Sequence, residues 1–243
     1  MKEPAILAEA LTKDFGPIHA LSGIDLRLEK GEFLTILGPN GAGKTTLIKI
    51  LATLMRPTSG LVRVAGYDLA EAGEALRRRI GVISHQTYLY ENLTAYENLR
   101  FYGRMYGVQD LEDHIRGVLE EVGLKGRRDH LVRTYSRGMQ QRLSIARALI
   151  HDPSVLLLDE PYTGLDQHAT RMLTGLLARL RDGERTVILT THQLSQGLEL
   201  SDFVAILVRG RIVYQEKVAG LSLADLEDAY FQHVGQEYRW DTQ

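Results

Sequence analysis

A glycine-rich run that ends in a lysine and two threonines has the most informative chemistry in the sequence. Its members are Gly38, Pro39, Asn40, Gly41, Ala42, Gly43, Lys44, Thr45 and Thr46. Glycines let backbone N–H groups turn inward around phosphate oxygens, and a helix that begins near Lys44 adds the positive end of its dipole. The spacing is typical of a phosphate-binding loop, in which the lysine reaches the outer phosphates and Thr45 ligates Mg²⁺. We therefore predict that this run binds a nucleotide.

An acidic pair follows a buried apolar run later in the chain. Asp159 and Glu160 come directly after residues 155–158, which are one valine and three leucines. Open α/β sheets bind ligands at the carboxyl ends of their strands, so the pair is placed to meet the phosphates. We predict that Asp159 holds Mg²⁺ through water and that Glu160 is the general base for the attacking water.

A second candidate anion site lies between these two motifs. Ser136 and Gly138 open a predicted helix within residues 135–142, and a serine hydroxyl with free N–H groups at a helix start binds phosphate well. Alone, this pattern is typical of a capped surface helix. Because the chain already has one phosphate-binding loop, a second anion site suggests that the nucleotide lies between two copies of the chain.

Strand-like runs alternate with helical patterns around these motifs. The alternation predicts an α/β fold with a mostly parallel sheet, and runs in the N-terminal half predict a small antiparallel β layer. The predicted strands are residues 24–28, 33–37, 61–64, 155–158 and 186–190, with a hairpin over 203–208 and 212–214. Apolar residues at helical spacing predict one helix with Leu47, Ile50, Leu51 and Leu54, and another with Met172, Leu173, Leu176, Leu177 and Leu180.

The middle of the chain has helical patterns only. Thr94 and Glu97 fit a capping box at a helix start, and apolar residues recur at helical spacing over 111–122 and 139–149. We predict a single domain over residues 1–243. Residues 1–87 and 153–215 form its core with the antiparallel layer, residues 88–152 an inserted α-helical subdomain, and residues 216–243 a helical tail that ends near Trp240.

The composition limits the classes of partner and chemistry. The chain has 243 residues and no cysteine, and the absence of cysteine excludes disulfides and thiolate metal sites. Its net charge of -2 does not favour nucleic acid as a partner. Residues 1–9 lack the apolar core of a secretory signal peptide. No apolar run approaches the roughly 20 residues of a membrane helix. Any role at a membrane therefore requires a partner.

Taken in order, the motifs resemble those of the ATP-binding subunits of ATP-binding-cassette (ABC) transporters, over nearly the whole chain. Four further positions match family motifs: Gln86 after residues 81–85, Asp166 at the end of 163–166, His192 after residues 186–191, and Phe15 within 11–16. The resemblance implies a RecA-like P-loop NTPase core, ATP and Mg²⁺. It also implies that Gln86 and His192 act with Glu160 in catalysis, that Gln86 helps Thr45 and Asp159 hold Mg²⁺, that Phe15 stacks on adenine, and that Asp166 contacts a second subunit.

The candidate anion site departs from the usual family signature, which reads Leu-Ser-Gly-Gly-Gln. Here Tyr135, Arg137 and Met139 replace the leucine, the first glycine and the glutamine. The serine and second glycine remain as Ser136 and Gly138, so the resemblance still implies a phosphate contact and indicates a variant of the export-type branch.

The resemblance further implies a head-to-tail dimer, with each ATP between the phosphate-binding loop of one chain and Ser136 and Gly138 of the other. It implies transmembrane permease subunits as partners, a position on the cytoplasmic, inner face of the cell membrane, and no nucleic acid. An aromatic cluster next to Gln86 is either core of the helical subdomain or, in the part that follows Gln86, a contact surface for the permease. It contains Tyr88, Tyr90, Tyr96, Phe101, Tyr102 and Tyr106.

Two other classes of function share these motifs. One is a soluble, non-transport ABC ATPase that acts as a mechanical switch, but such relatives usually have two cassettes, a coiled coil or a zinc module. The other is a regulatory cassette that binds nucleotide without hydrolysis, which the intact Lys44, Glu160 and His192 disfavour. For a transporter, residues 161–167 and 190–193 are similar to the ATPase of the haem exporter of cytochrome c maturation and to export cassettes for drugs or lipids.

Overall fold

The computed structural model describes residues 3–71, 73–84, 86–181 and 183–238. This part of the chain contains ten strands and eight α-helices. The strands are β1 Ile6–Phe15, β2 Ile18–Leu28, β3 Phe33–Leu37, β4 Ser59–Val64, β5 Tyr67–Asp68, β6 Ile80–Ser84, β7 Val155–Asp159, β8 Thr186–Thr191, β9 Phe203–Val208 and β10 Arg211–Lys217. The helices are α1 Lys44–Leu51, α2 Glu74–Arg77, α3 Ala95–Tyr106, α4 Leu111–Glu121, α5 Arg137–Leu149, α6 Gln167–Arg179, α7 Leu194–Leu200 and α8 Leu223–Tyr238.

The larger sheet has six strands in the order β10-β9-β3-β8-β7-β6. All neighbours are parallel except β10, which pairs with β9 as an antiparallel hairpin. The register places Leu37 beside Thr191, and Asp159 between Thr190 and Ser84. The carboxyl ends of β3, β8, β7 and β6 therefore meet at one edge, as the predicted mostly parallel sheet requires.

The smaller sheet is antiparallel, with the order β2-β1-β4-β5, and confirms the predicted antiparallel layer. Its buried face and α1 share one hydrophobic cluster with the larger sheet. Leu47, Ile50 and Leu51 of α1 belong to that cluster, but Leu54 lies beyond the helix and is 64% exposed, so its prediction as part of this helix was wrong. The reason is that α1 ends at Leu51 and Thr53 has a left-handed backbone (φ 61°), which turns the chain out of the helix.

Helices α3, α4 and α5 lie between β6 and β7 in the chain and pack on one another and on the other face of the larger sheet. Thr94 caps α3, and its reciprocal bonds with Glu97 form the predicted capping box. Helix α6 confirms the helix predicted from its apolar residues, and Leu173, Leu176 and Leu177 join the core together with Leu180, which follows the last residue of the helix, whereas Met172 is exposed. The division into a core and a helical subdomain stays a prediction.

The C-terminal part of the described chain forms the predicted hairpin of β9 and β10, followed by α8. Leu226 and Val234 of α8 pack in a cluster with Val204 and Ile206 of β9. The predicted end of the tail near Trp240 lies outside the described residues. None of the described helices is long and apolar enough to cross a membrane.

Candidate active site

The glycine-rich run forms the loop between β3 and α1. Gly43 has φ 109°, and a methyl group there would lie 2.5 Å from the Ala20 carbonyl oxygen, so only glycine fits. Lys44 begins α1 and is 6% exposed. Its Nζ donates hydrogen bonds to the carbonyl oxygens of Gly38 at 2.6 Å and Pro39 at 3.1 Å. The loop thus holds the buried ammonium of Lys44 at the first turn of α1. This charge and the positive end of the helix dipole both favour the binding of an anion.

Asp159 ends β7 beside this loop. Its Oδ1 accepts hydrogen bonds from Thr45 Oγ1 at 3.1 Å and from Thr190 Oγ1 at 2.9 Å, and the residue is 4% exposed. Mg²⁺ prefers oxygen ligands and takes few from protein when phosphates supply others. The hydroxyl of Thr45 and the carboxylate of Asp159 lie within one hydrogen bond of each other, which fits the Mg²⁺ ligands predicted from the sequence.

Glu160 lies between a lysine and a histidine. Its Oε1 is 3.3 Å from Lys44 Nζ, and its Oε2 is 3.0 Å from His192 Nδ1. The backbone of Glu160 is left-handed (φ 49°), a conformation that costs a side chain of this size about 1–3 kcal/mol and is common at functional sites. Two bonds from its N–H fix it, to the carbonyl oxygen of Thr190 at 3.1 Å and to the hydroxyl of the same residue at 3.2 Å.

Thr190 contributes to the site although the sequence pattern did not identify it. It lies opposite Asp159 in the pairing of β7 with β8 and is fully buried. Its hydroxyl donates to the Asp159 carboxylate and accepts from the Glu160 N–H, so one side chain orients both acids. A threonine directly after the apolar residues 187–189, two residues before His192, was the only available signal.

The arrangement brings together a phosphate-binding loop, a carboxylate that can accept a proton and a histidine that can orient it. Lys44, Thr45, Asp159, Glu160 and His192 meet at the carboxyl edge of the sheet. His192 has more than half of its side chain exposed, whereas Glu160 has 19% exposed. A phosphoryl group held by the loop would therefore be approached from the open side, where water can enter next to the two residues.

Two other predicted residues lie further from this centre. Gln86 follows β6 at the same sheet edge, where its side chain is exposed and its carbonyl oxygen accepts from Ser84 Oγ at 2.8 Å. Phe15 ends β1 with 45% of its surface exposed, and Lys13 Nζ lies 5.1 Å from its ring centroid. The exposed ring is free to stack on a base, which the structure leaves as a prediction.

Ser136, Gly138 and Asp166 lie at two neighbouring helix starts. Ser136 caps α5 by accepting from the Met139 N–H at 3.3 Å, and Asp166 caps α6 by accepting from the Ala169 N–H at 2.7 Å. A methyl group on Gly138 would lie 2.8 Å from the Cβ of Ala169, so the two helix starts touch. In the described residues, no hydrogen bond joins Ser136 or Asp166 to the phosphate-binding loop.

The aromatic cluster next to Gln86 divides into exposed and packed members. Tyr96 and Tyr102 pack against the core, and Tyr106 stacks on His151. Tyr88, Tyr90 and Phe101 are exposed, as is Met105, which was not part of the cluster and follows Phe101 by four residues on α3. Each is 45–54% exposed, and we call these four residues the aromatic patch. Beneath it, Arg147 donates to the Val82 carbonyl oxygen at 2.7 Å, and burial lowers the pKa of its guanidinium.

Comparison with known proteins gives one consistent result. A family model described as ABC transporter matches residues 21–163. The ABC transporter ATP-binding protein NatA of Bacillus subtilis is 35% identical over 207 residues, which cover 84% of each chain. The daunorubicin resistance ATP-binding protein DrrA3 of Streptomyces coeruleorubidus is 36% identical over 97% of this chain and 76% of its own. A dimeric structure of the ATP-binding cassette MJ0796, in a post-hydrolysis state with ADP and Pi, has a TM-score of 0.79 at 29% identity and covers 89% of this chain and 100% of that chain.

Proposed function

Since this chain belongs to the ABC transporter family and is an ATP hydrolase, we propose that it powers the export of a small hydrophobic molecule through transmembrane partner subunits. The observation that carries the proposal is the position of Glu160, which supports its ATP-hydrolysing part. Glu160 lies between His192 and Lys44, and Lys44 belongs to the phosphate-binding loop. A carboxylate so placed can accept a proton from water beside the terminal phosphate of ATP.

We propose the following division of work in binding. The N–H groups of residues 38–46 and the Nζ of Lys44 hold the phosphates, and the ring of Phe15 stacks on the adenine. Thr45 and Asp159 would hold Mg²⁺, with Gln86 as a further ligand, and this ion when bound neutralises charge on the outer phosphates. To reach those phosphates, the Lys44 ammonium exchanges its bonds to Gly38 and Pro39 for phosphate oxygens.

Hydrolysis then depends on Glu160 and His192. The same exchange moves Lys44 away from Glu160 Oε1 and frees that oxygen to accept a proton from water. His192 holds the other oxygen through the 3.0 Å bond from its Nδ1, which fixes the direction of the carboxylate. Thr190 fixes the backbone of Glu160 in the same position.

The second half of each ATP site comes from a second copy of the chain in this proposal. Ser136 and Gly138 are accessible at the start of α5, and in the described residues they make no bond to their own phosphate-binding loop. A head-to-tail dimer would place them, with Asp166, against the ATP of the partner. The dimeric state of the MJ0796 cassette supports this arrangement.

The partner in the membrane is proposed to bind at the aromatic patch. Tyr88, Tyr90, Phe101 and Met105 are each about half exposed, and the rings of Tyr90 and Phe101 meet edge to face with centroids 5.1 Å apart. Exposed clusters of aromatic residues and methionine are typical of protein interfaces. A helix of a permease on the cytoplasmic face would cover the patch and would hold this chain at the inner face of the membrane.

The relatives of this chain include daunorubicin resistance ATP-binding proteins, which supports a role in export. We propose a small hydrophobic cargo of that kind, with haem as one candidate. In this proposal the permease, rather than this chain, contacts the cargo. The motif residues of this chain belong to the proposed ATP site and therefore do not discriminate between such cargoes.

The proposal is tested by following two properties of the chain separately. Phosphate release from Mg²⁺·ATP measures hydrolysis, and co-sedimentation with inside-out membrane vesicles of cells that express the chain measures partner binding. We expect wild type to show both and Phe101→Glu to hydrolyse ATP normally without co-sedimenting. Co-sedimentation of Phe101→Glu at the wild-type level would contradict the assigned surface, and wild type absent from the vesicles would contradict the membrane role.

A further inference from the structure

Arg137, which replaces a glycine of the usual family signature, contacts the turn that follows Glu160. Its Nη2 donates to the Thr163 carbonyl oxygen at 3.1 Å. Gly164 has φ 74°, and a methyl group there would lie 2.7 Å from the Nε and Cζ of Arg137. The guanidinium therefore lies directly against the backbone of Gly164 and is bonded to the residue before it.

The turn that Arg137 contacts is itself bonded to Glu160. The Thr163 N–H donates to the Glu160 carbonyl oxygen at 3.2 Å, and the Leu165 N–H donates to that of Tyr162 at 3.1 Å. At its other end, Asp166 caps α6. A guanidinium bonded to the Thr163 carbonyl thus acts on a segment of two successive turns that begins at the proposed general base.

The start of α5 also touches the helix that follows this segment, where Gly138 packs against Ala169 of α6. Met139 and Leu165 also pack against one hydrophobic cluster. These contacts place the start of α5 and the segment 160–166 in one unit, and Arg137 supplies the polar bond between them. A glycine at position 137 would offer neither a donor nor a surface for Gly164.

We propose that Arg137 is a positioning residue that couples the signature segment, which meets the ATP of the second copy, to Glu160, which acts on the ATP of its own chain. This inference rests on the proposed dimer. In that dimer, one chain contributes Ser136 and Gly138 to one ATP and Glu160 to the other. Arg137 therefore links the two ATP sites through a single chain, and loss of its bond lowers both the hydrolysis rate and the cooperativity between sites.

The first test compares Arg137→Ala, Arg137→Lys and wild type in steady-state hydrolysis. We expect kcat of Arg137→Ala to fall about ten-fold with KM for ATP unchanged, because displacement of a catalytic group by about 1 Å can cost up to 10²-fold while the phosphate-binding loop is untouched. The Hill coefficient for ATP should fall towards one. Arg137→Lys should recover part of kcat, since an ammonium can still donate to Thr163. Arg133→Ala, at an exposed arginine in the preceding turn, is the matched control and should behave as wild type.

A double-mutant cycle makes the test independent of stability. Gly164→Ala strains the left-handed backbone in either background, and only where Arg137 is present must it also displace the guanidinium, so kcat should fall more in wild type than in an Arg137→Ala background. Equal effects in both backgrounds, or wild-type kcat and cooperativity in Arg137→Ala, would overturn the inference. A separate failure is visible in the Glu160→Gln variant with Arg137 intact, since absence of an ATP-dependent dimer there would refute the dimer rather than the role of Arg137.

Discussion

His192 Nδ1 lies 3.0 Å from Glu160 Oε2, and the other oxygen of the same carboxylate faces Lys44 Nζ at 3.3 Å. The two contacts come from different elements, since His192 follows β8 and Lys44 begins α1. When a phosphate binds, Lys44 can therefore exchange its contact with Glu160 for a phosphate oxygen, while His192 keeps its bond to the carboxylate. This relationship sets the expected behaviour of each of the three side chains.

Replacement of Glu160 by glutamine should separate binding from hydrolysis. The amide has the same size but cannot accept a proton from water, so we expect kcat to fall by about 10²–10⁴-fold with ATP affinity retained. Size-exclusion chromatography in ATP should show a stable dimer. Glu199→Gln, at an exposed position on α7, is the control. Rapid turnover by Glu160→Gln would refute the role of Glu160 as general base.

Replacement of His192 by alanine should affect the rate more than binding. Without the imidazole, the carboxylate of Glu160 loses the bond that fixes its direction, and we expect kcat to fall about 10²-fold with a small change in KM. Stopped-assay phosphate release over a range of ATP concentrations separates the two constants. His114→Ala, on the exposed side of α4, should have no effect. A change confined to KM would show that His192 binds ATP without a part in the reaction.

Lys44→Ala should abolish nucleotide binding. The side chain is buried in the loop and its charge-assisted bonds to phosphate, worth about 1.5–3 kcal/mol each, have no substitute. Fluorescent ATP analogue titration measures the loss directly. Lys49→Ala lies on the exposed face of the same helix and should bind as wild type. Unchanged affinity in Lys44→Ala would contradict the assigned loop.

The sequence contains the motifs, and it predicted the sheet edge at which they meet because parallel strands bring their carboxyl ends together. It did not predict that Thr190 would bond to both acids, because that depends on the register of β7 with β8. Nor did it predict the contact of Arg137 with Thr163, which depends on the path of a turn. Leu54 and Met172 fit a helical pattern but are exposed, because pattern alone does not tell where a helix ends or how far its apolar face extends.

Phe15 should contribute to ATP affinity through its ring alone. Aromatic stacking on a base is worth about 1–3 kcal/mol, so Phe15→Ala should raise KM for ATP at least five-fold while Phe15→Tyr leaves it unchanged. Since every base offers a flat face, GTP should be hydrolysed with a similar dependence on residue 15. Equal KM for Phe15→Ala and wild type would mean that the exposed ring does not meet the base.

His151 should make the stability of the chain depend on pH. Its ring stacks on Tyr106 with centroids 3.9 Å apart, and its Nε2 lies 3.1 Å from the Ile80 carbonyl oxygen. Burial lowers the pKa of the imidazole and outweighs the bond to Ile80, which raises it; the charge of Arg147 adds to the shift and that of Asp152 opposes it. Below the usual pKa of 6.5, the unfolded chain therefore binds a proton that the folded chain does not, and stability falls as pH falls, by at most about 1.4 kcal/mol per pH unit.

His151→Gln keeps a donor for Ile80 and removes the titration. Urea unfolding at pH 7.5 and 5.5 should show a smaller loss in this variant than in wild type, whereas His130→Gln, at an exposed position, should lose as much as wild type. An equal loss in wild type and His151→Gln would show that His151 takes up its proton equally in the folded and the unfolded chain over this range, and would contradict the prediction.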